Sequence, residues 1–391
     1  MAAAKGYEIV TEGKAKIAVP KSKKLSRDMP VFYNPVMRSN RDIAITLMAA
    51  AAETYGISKW SVADPMAATG IREIRMLLEL GSGKFERVTI NDYSKDAAAL
   101  IKKNLALNKI KARKVAVTVN EANKFLLNSK PFNYIDIDPF GYPGTFLDSA
   151  ARRIRHNGIL AVTATDTSAL SGSAMAACQR KYLATPLRNG FMHETGVRIL
   201  VRLTQMFGAV HEKAMTPIFC YYKEHYMRAF FLCKDGAGRA NEIVRQHTEI
   251  LYCFNCCDRR MAEDGAIMCG SCGGKMAKAG PIWAGRLFDK ELTMKMASAA
   301  AKNKFIDKKT KEFLAVAAEE AKAEDKTGIG FYAIEDVCER HKIRQQPKTA
   351  DVAARLRKAG FAASMTHCST TGVKANASLH VFLNAVRNGK V

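Results

Sequence analysis

Asp138–Pro139–Phe140–Gly141 is the segment of this 391-residue chain whose residue types most directly imply chemistry. The target that suits it is an exocyclic amine on a nucleobase. Such an amine is a poor nucleophile, because its lone pair is delocalised into the ring. An acceptor must hold its N–H and take the proton as a new bond forms, and Asp138 can act as that general base. Pro139 fixes the backbone and leaves its own carbonyl as a second acceptor. Phe140 offers a face on which an extruded base stacks. An Asp-Pro turn that merely ends a strand is the alternative. The position of the segment after a fourth strand, downstream of a ligand loop and a ribose-type acid, favours function.

The cysteines offer different chemistry. Cys253–Phe254–Asn255–Cys256 and Cys269–Gly270–Ser271–Cys272 are two C-x-x-C knuckles with twelve residues between them. Four thiolates at this spacing can wrap a tetrahedral Zn²⁺ and leave no open position, so the expected metal is structural. Gly270, Gly273 and Gly274 permit the tight turns. Buried free thiols are the alternative, and Cys257 is an alternative to Cys256. Cys178, Cys220, Cys233, Cys338 and Cys368 lack ligand spacing and read as ordinary thiols. His193–Glu194 and His211–Glu212 lack the second histidine of a metalloprotease helix.

A scaffold must position these groups. Between Trp60 and Asp166 strands and helices alternate. Strands are expected at Ser61–Asp64, Arg87–Ile90, Val115–Val119, Phe132–Ile137 and Ile159–Thr165. Ile71–Leu80 has helical apolar spacing, and Lys95–Asn108 reads as a helix. Such alternation implies a parallel sheet covered by helices on both faces, with ligands beyond the carboxyl ends of the strands. The loop Asp64–Arg72 after the first strand is rich in small residues, yet holds only Gly70 of a G-x-G-x-x-G fingerprint, which argues against a nicotinamide enzyme. By itself it reads equally well as an ordinary turn. Asp92 ends the second strand 22 residues after Gly70, where a carboxylate can accept both ribose hydroxyl hydrogens. Glu121 and Ala122 follow the third strand and can lie beside an adenine. Either acid alone also reads as a helix cap or a solvated loop charge.

The charge balance sets the partner class. Lys and Arg number 61 against 37 Asp and Glu, a net charge of +24, with 48% hydrophobic residues. That composition is globular, and a chain this basic is expected to meet nucleic acid. Residues 341–391 hold nine Lys/Arg against Asp351 alone. Within them Thr349–Ala359 reads as a basic helix, and with the strands around Gly372 it suggests a winged-helix-like unit able to grip phosphates. A helix is also expected over Tyr332–His341. The Lys290–Lys326 stretch reads as one or two exposed helices. At the other end Ile9–Val19 reads as short strands around Gly13, followed by a basic cluster of Lys21, Lys23, Lys24 and Arg27. No stretch has the roughly 18 consecutive apolar residues of a membrane span. The charges of Met1–Pro20 exclude a secretory core there. A cytoplasmic protein is expected, and no obligate protein partner is evident.

The chain resembles the tRNA (guanine-26, N2)-dimethyltransferases, which use S-adenosylmethionine. Several blocks carry the resemblance in order: Val31–Met37 with Asn40–Arg41–Asp42, Ala67–Arg72, Asn91–Asp92, Asp138–Gly141, Thr163–Thr167, Arg180–Lys181–Tyr182 and His193–Arg198. It implies that Arg41 and Arg72 contact the cofactor, its methionyl carboxylate suiting a guanidinium fork. Asp92 would bind the ribose, and Glu121 with the Ala122 backbone the adenosine. Asp138 would accept the proton, with Phe140 as stacking wall and Phe32 as a second one. Two departures bear on the choice of guanine and the number of methyls: Arg38–Ser39 before Asn40, and Tyr142 directly after Asp-Pro-Phe-Gly. The implied architecture is α/β: a Rossmann-like S-adenosylmethionine-dependent methyltransferase domain over residues 1–240, then a smaller α+β, zinc-containing, winged-helix-like tRNA-binding domain over 241–391, with the knuckles at 253–272. The competing readings are an amino-group methyltransferase acting on adenine in DNA or guanine in ribosomal RNA, and a non-catalytic zinc protein that binds nucleic acid.

Overall fold

The structure is a computed structural model that describes residues 6–21, 29–262 and 267–387. Lys23, Lys24 and Arg27 of the expected basic cluster lie outside the described residues. Strands β1 (Tyr7–Glu12) and β2 (Ala15–Pro20) form the expected hairpin, with Glu12 paired to Ala15 across Gly13. A Cβ on Gly13 would stand 2.1 Å from Glu79 Oε1 and 2.6 Å from Arg75 Nε, so this turn packs directly on a helix.

The central sheet has seven strands: β3 (Trp60–Asp64), β4 (Phe85–Asp92), β5 (Val115–Val119), β6 (Phe132–Ile137), β7 (Ile154–Ala164), β8 (Lys213–Lys223) and β9 (Tyr226–Asp235), in the order β5-β4-β3-β6-β7-β9-β8. The five strands β3 to β7 are parallel, as the alternation implies. β3 is buried at every position, as suits a parallel strand covered on both faces. The order reverses between β3 and β6, which opens a crevice at their carboxyl ends.

The β8–β9 hairpin is absent from the sequence reading. β9 enters antiparallel between β7 and β8. Its strands show no polar–apolar alternation because both faces are covered. The connector is Glu224–His225 rather than an Asn-Gly turn, with Glu224 held at φ +54°. β7 also begins five residues earlier than read.

Helices α1 (Arg38–Thr54), α2 (Ile71–Glu79), α3 (Lys95–Leu107), α4 (Ala122–Leu127) and α5 (Gly144–Arg153) alternate with the parallel strands. Then come α6 (Thr167–Leu170), α7 (Met175–Tyr182), α8 (Met192–Ala209) and α9 (Ala237–Arg245). A three-stranded sheet of β10 (His247–Tyr252), β11 (Arg259–Met261) and β12 (Ala277–Trp283) carries the knuckles.

The stretch expected as exposed helices forms α10 (Lys290–Lys302) and α11 (Lys308–Thr327), and neither is merely exposed. α10 packs on α1, and α11 buries Glu320 and Glu324. The tail continues as β13 (Tyr332–Ala333), α12 (Ile334–Arg340), α13 (Thr349–Lys358), β14 (Ala363–Thr366), β15 (Ser369–Ala375) and α14 (Leu379–Val386), with sheet order β13-β15-β14.

A buried charge network joins the tail to the first half. Lys374 Nζ on β15 lies 3.1 Å from Glu194 Oε1 on α8 and 3.3 Å from Glu320 Oε1 on α11. Arg198 lies 2.9 Å from Glu194 and 3.7 Å from Glu324, and His367 Nδ1 lies 2.7 Å from Glu320. Three carboxylates thus face three cations with almost no solvent. The His193–Arg198 block, whose residues suggested no chemistry of their own, supplies the α8 side of this joint.

Candidate active site

A cavity of about 820 Å³ opens at the carboxyl ends of β3, β4 and β6, and a backbone lattice shapes its floor. Asn91 Nδ2 donates to Pro65 O at 3.0 Å and to Asn120 O at 2.9 Å, tying two loops together. The Ala67 N–H bonds Asn91 O. Gly70, at φ +70°, leads into α2, and a Cβ there would meet Ile101 at 3.1 Å. Ala68 holds φ +49°, a left-handed conformation that costs a non-glycine residue roughly 1–2 kcal/mol. It directs the Ala68 N–H to Asp92 Oδ2 at 2.9 Å. Ser94 N–H donates to the other oxygen, Asp92 Oδ1, at 2.9 Å. Asp92 is therefore buried and oriented, and each oxygen keeps a second lone pair for a ligand.

Glu121 caps α4. Its two oxygens accept the backbone N–H of Asn123 at 3.0 Å and of Lys124 at 2.9 Å. What burial it has raises the carboxyl, but these N–H donors outweigh that and hold it below the usual carboxylate range. Ala122 is the first residue of α4, and both line the cavity.

Asp138 follows β6 with its side chain 17% exposed at the cavity wall. Gly141, at φ +81°, turns the chain, and its N–H donates to Thr165 Oγ1 at 2.6 Å. Thr165 N–H returns a bond to Gly141 O. The Thr163–Thr167 block thus braces the Asp-Pro-Phe-Gly loop from the next strand. Phe140 is half exposed and meets Phe32 edge-to-face, centroids 4.7 Å apart at 83°. The two expected aromatic walls stand together at the mouth beside Pro139. Tyr142 also lines the cavity. Its hydroxyl donates to Lys181 O at 2.7 Å, and its ring lies 5.0 Å from Tyr182.

Both arginines line the cavity, but their forks are engaged by the protein itself. Arg41 Nε and Nη2 bond the two oxygens of Glu12 at 2.7 and 2.6 Å, and Nη2 reaches Asn34 O. Arg72 Nη1 donates to Asn40 Oδ1 at 2.8 Å, Nη2 bonds Asp138, and Nε lies 3.4 Å from Asp136. The Arg41 fork closes on Glu12 of the N-terminal hairpin, at the cavity wall where the resemblance implies contact with the cofactor. Arg72 instead touches the candidate base.

The sequence reading missed several groups here. Asp136 lies two residues before Asp138, and strand periodicity puts both on one face. Arg228 of β9 sits fully buried against Asp136. Asp64 and Glu73 are buried neighbours beneath the loop. Burial and then the Glu73 charge push the Asp64 carboxyl well up, and burial raises Glu73 as well. The I-D-I-D run over 135–138 and an arginine inside the apolar run Met227–Phe231 were the available signals. Tyr93, 81% exposed next to Asp92, was a third.

The metal-type cysteines converge. The Sγ atoms of Cys253, Cys256, Cys269 and Cys272 all lie within 4.8 Å of one another, with Cys253 to Cys272 at 3.4 Å and Cys256 to Cys269 at 3.6 Å. A zinc tetrahedron with bonds of about 2.3 Å has edges of about 3.8 Å, so the donor set fits. Cys257 N–H donates to Cys253 O within the first knuckle, and Cys257 lies outside this sulfur set.

Comparison with known proteins covers nearly the whole chain. A family profile described as N2,N2-dimethylguanosine tRNA methyltransferase matches residues 13–387. The tRNA (guanine(26)-N(2)/guanine(27)-N(2))-dimethyltransferase of Aquifex aeolicus is 39% identical, over 95% of this chain and 93% of its own. The tRNA (guanine(26)-N(2))-dimethyltransferase of Methanosphaera stadtmanae is 36% identical over 95% and 94%. Among solved structures, Trm1 from Pyrococcus horikoshii in complex with S-adenosyl-L-methionine superposes with a TM-score of 0.82 at 34% identity, covering 97% of this chain and 99% of that one. Given this coverage and the site it encloses, the chain belongs to the N2,N2-dimethylguanosine tRNA methyltransferase family.

Proposed function

We infer that the protein methylates the exocyclic N2 amine of guanine 26 in tRNA to N2,N2-dimethylguanosine, with S-adenosylmethionine as donor. The observation that carries this reading is one cavity lined by Asp92, Glu121 and Ala122 at one side and by Asp138, Pro139, Phe140 and Phe32 at the other. Its volume is in the range of ligand sites and leaves room for a nucleoside cofactor and a base. Asp92 has the free acceptor capacity for a ribose, Glu121 and the Ala122 N–H face the adenosine, and Tyr93 offers a covering ring. When bound, S-adenosylmethionine would supply a methyl on a sulfonium, whose sulfur is a good leaving group because it departs as a neutral thioether. The protein's part is alignment and proton acceptance. Phe140 and Phe32 hold the flipped guanine. Asp138 and the Pro139 carbonyl accept its N2–H, and Asp138 takes the proton as N2 bonds carbon. The base must leave its stack to reach the cavity.

Residues 1–240 serve as the methyltransferase unit and 241–391 as the tRNA-gripping unit. The order α11–β13–α12–α13–β14–β15 supports the winged-helix-like reading of the tail. Cys253, Cys256, Cys269 and Cys272 hold a structural Zn²⁺. No helix among the described residues is long and apolar enough to cross a membrane, and the proposed compartment is the cytoplasm. The test is incubation of the protein with methyl-labelled cofactor and undermodified tRNA, ribosomal RNA and DNA, followed by mapping. Label at N2 of guanine 26 is expected. Label only in another nucleic acid, or no cofactor binding at all, refutes the proposal, and label at guanine 27 extends it.

A further inference from the structure

Beneath Asp138 lies a closed set of charges. Arg228 grips Asp136 with both terminal nitrogens, Nη1 to Oδ1 at 3.1 Å and Nη2 to Oδ2 at 2.7 Å. Its Nη1 also bonds Thr163 Oγ1 and lies 4.0 Å from Asp138 Oδ2, and its guanidinium stacks 4.7 Å from the Phe230 ring centroid. Tyr134 Oη donates to Asp136 Oδ2 at 2.9 Å. Arg72 bridges Asp136 and Asp138 from α2 and is itself held by Asn40 on α1. Arg228 and Asp136 have no side-chain exposure. Other titratable groups packed around them are Asp64 on β3, Glu73 on α2, and Tyr221 and Tyr226 on the hairpin.

We propose that Arg228 is a positioning residue for methyl transfer: by satisfying Asp136 it leaves Arg72 to Asp138, and so holds that carboxylate aimed into the cavity through each turnover. The inference rests on the methyl-transfer reading. Two arginines and two carboxylates cancel. In each transfer the N2 lone pair forms the N–C bond, the C–S pair stays on sulfur, and the proton from N2 moves to Asp138. The buried set then carries one surplus positive charge, which is unfavourable in a low-dielectric site. The proton leaves through the exposed edge of Asp138, and the acceptor is ready for the second transfer. Without Arg228 the set is one charge negative, and uptake of a proton by the set would neutralise it. Asp136 would also compete for Arg72 and pull it away.

The test uses the full-length enzyme with Arg228→Met and Arg228→Lys. The expected result is a kcat about 10- to 100-fold lower in Arg228→Met, an acid limb of the kcat–pH profile displaced to higher pH, and cofactor affinity and KM for tRNA within about threefold of the parent. Arg228→Lys keeps the charge but not the paired hydrogen bonds to Asp136, and should recover most of the acid-limb position and part of kcat. Should Arg228→Met fail to fold, Arg228→Lys still decides through its partial kcat loss. Unchanged kcat and acid limb in folded variants overturn the proposal. So does a parallel loss of cofactor binding, tRNA binding and turnover, which would mark a purely structural role. The parent enzyme and Asp138→Ala separate the two readings. If the parent transfers no methyl to tRNA, the methyl-transfer reading falls; if the parent is active and Asp138→Ala is not, while both Arg228 variants behave as parent, only the positioning role falls.

Discussion

Replacing Lys374 by Met tests whether the joint between the two halves is a balanced charge set. In the parent, Glu194, Glu320 and Glu324 face Arg198, Lys374 and His367. Burial alone would raise the Glu194 carboxyl, but Lys374 and then Arg198 outweigh it and hold it down at about 2, against 4.5 when free. That depression is worth about 3 kcal/mol at neutral pH. Because the folded value lies below the free one, this stability is complete above pH 4.5 and is lost as pH falls from 4.5 toward 2. Lys374→Met leaves one surplus negative charge with no water to screen it. Removing one partner of a buried pair costs about 3–5 kcal/mol, and that is the loss expected in urea unfolding at pH 7.5. The stranded carboxylates should then take up a proton more readily, so the difference from the parent should narrow by about 1–2 kcal/mol at pH 5. A loss below about 1 kcal/mol at pH 7.5, or one of equal size at both pH values, would refute the charge-balance account of this joint.

Other expectations concern the site and its supports. Asp138→Ala should lower turnover by at least about 100-fold while calorimetry finds cofactor affinity within about threefold of the parent. Asp92→Ala should weaken cofactor binding by about 10- to 100-fold, the equivalent of losing a charged hydrogen-bond acceptor, and an unchanged dissociation constant would remove Asp92 from the ribose site. Metal analysis should find one zinc per chain. Chelation should raise hydrogen exchange across β10, β11 and β12 before it slows the chemistry, and full protection after complete metal removal would count against a structural zinc. The affinity for tRNA should fall by at least about 100-fold between 50 and 200 mM salt, and a flat response would remove the electrostatic account of binding.

What could be read in advance follows from how local each signal is. β5 and β6 were legible to the residue because each is a short run of strand-forming residues between turn residues, and α2, whose apolar positions repeat at helical spacing, and α3 were legible to within one residue at their ends. The four zinc-type cysteines were legible because two knuckles are local loops that need only one long-range meeting. The β8–β9 hairpin was not, since burial on both faces erases the alternation that marks a strand. The partners of Arg41 were not legible either. Nothing in the sequence says that Glu12, 29 residues away, will turn inward from a surface hairpin.

That hidden partner changes how the cofactor side of the cavity is understood. Glu12 is buried and bonds both Arg41 and Arg75, and Arg75 also contacts Asp42 and Glu79. An arginine held by a rigid carboxylate is a fixed wall with a defined charge. The N-terminal hairpin therefore belongs to the site through Arg41, and α2 carries the same logic inward. Arg72 meets Asp138 on one side of that helix, while Arg75, one turn on, meets the hairpin. A single helix start, set by Gly70, thus places both the guanidinium beside Asp138 and the one that anchors the N-terminal hairpin. Displacing that start should therefore disturb catalysis and hairpin docking together, which no reading of either motif alone would anticipate.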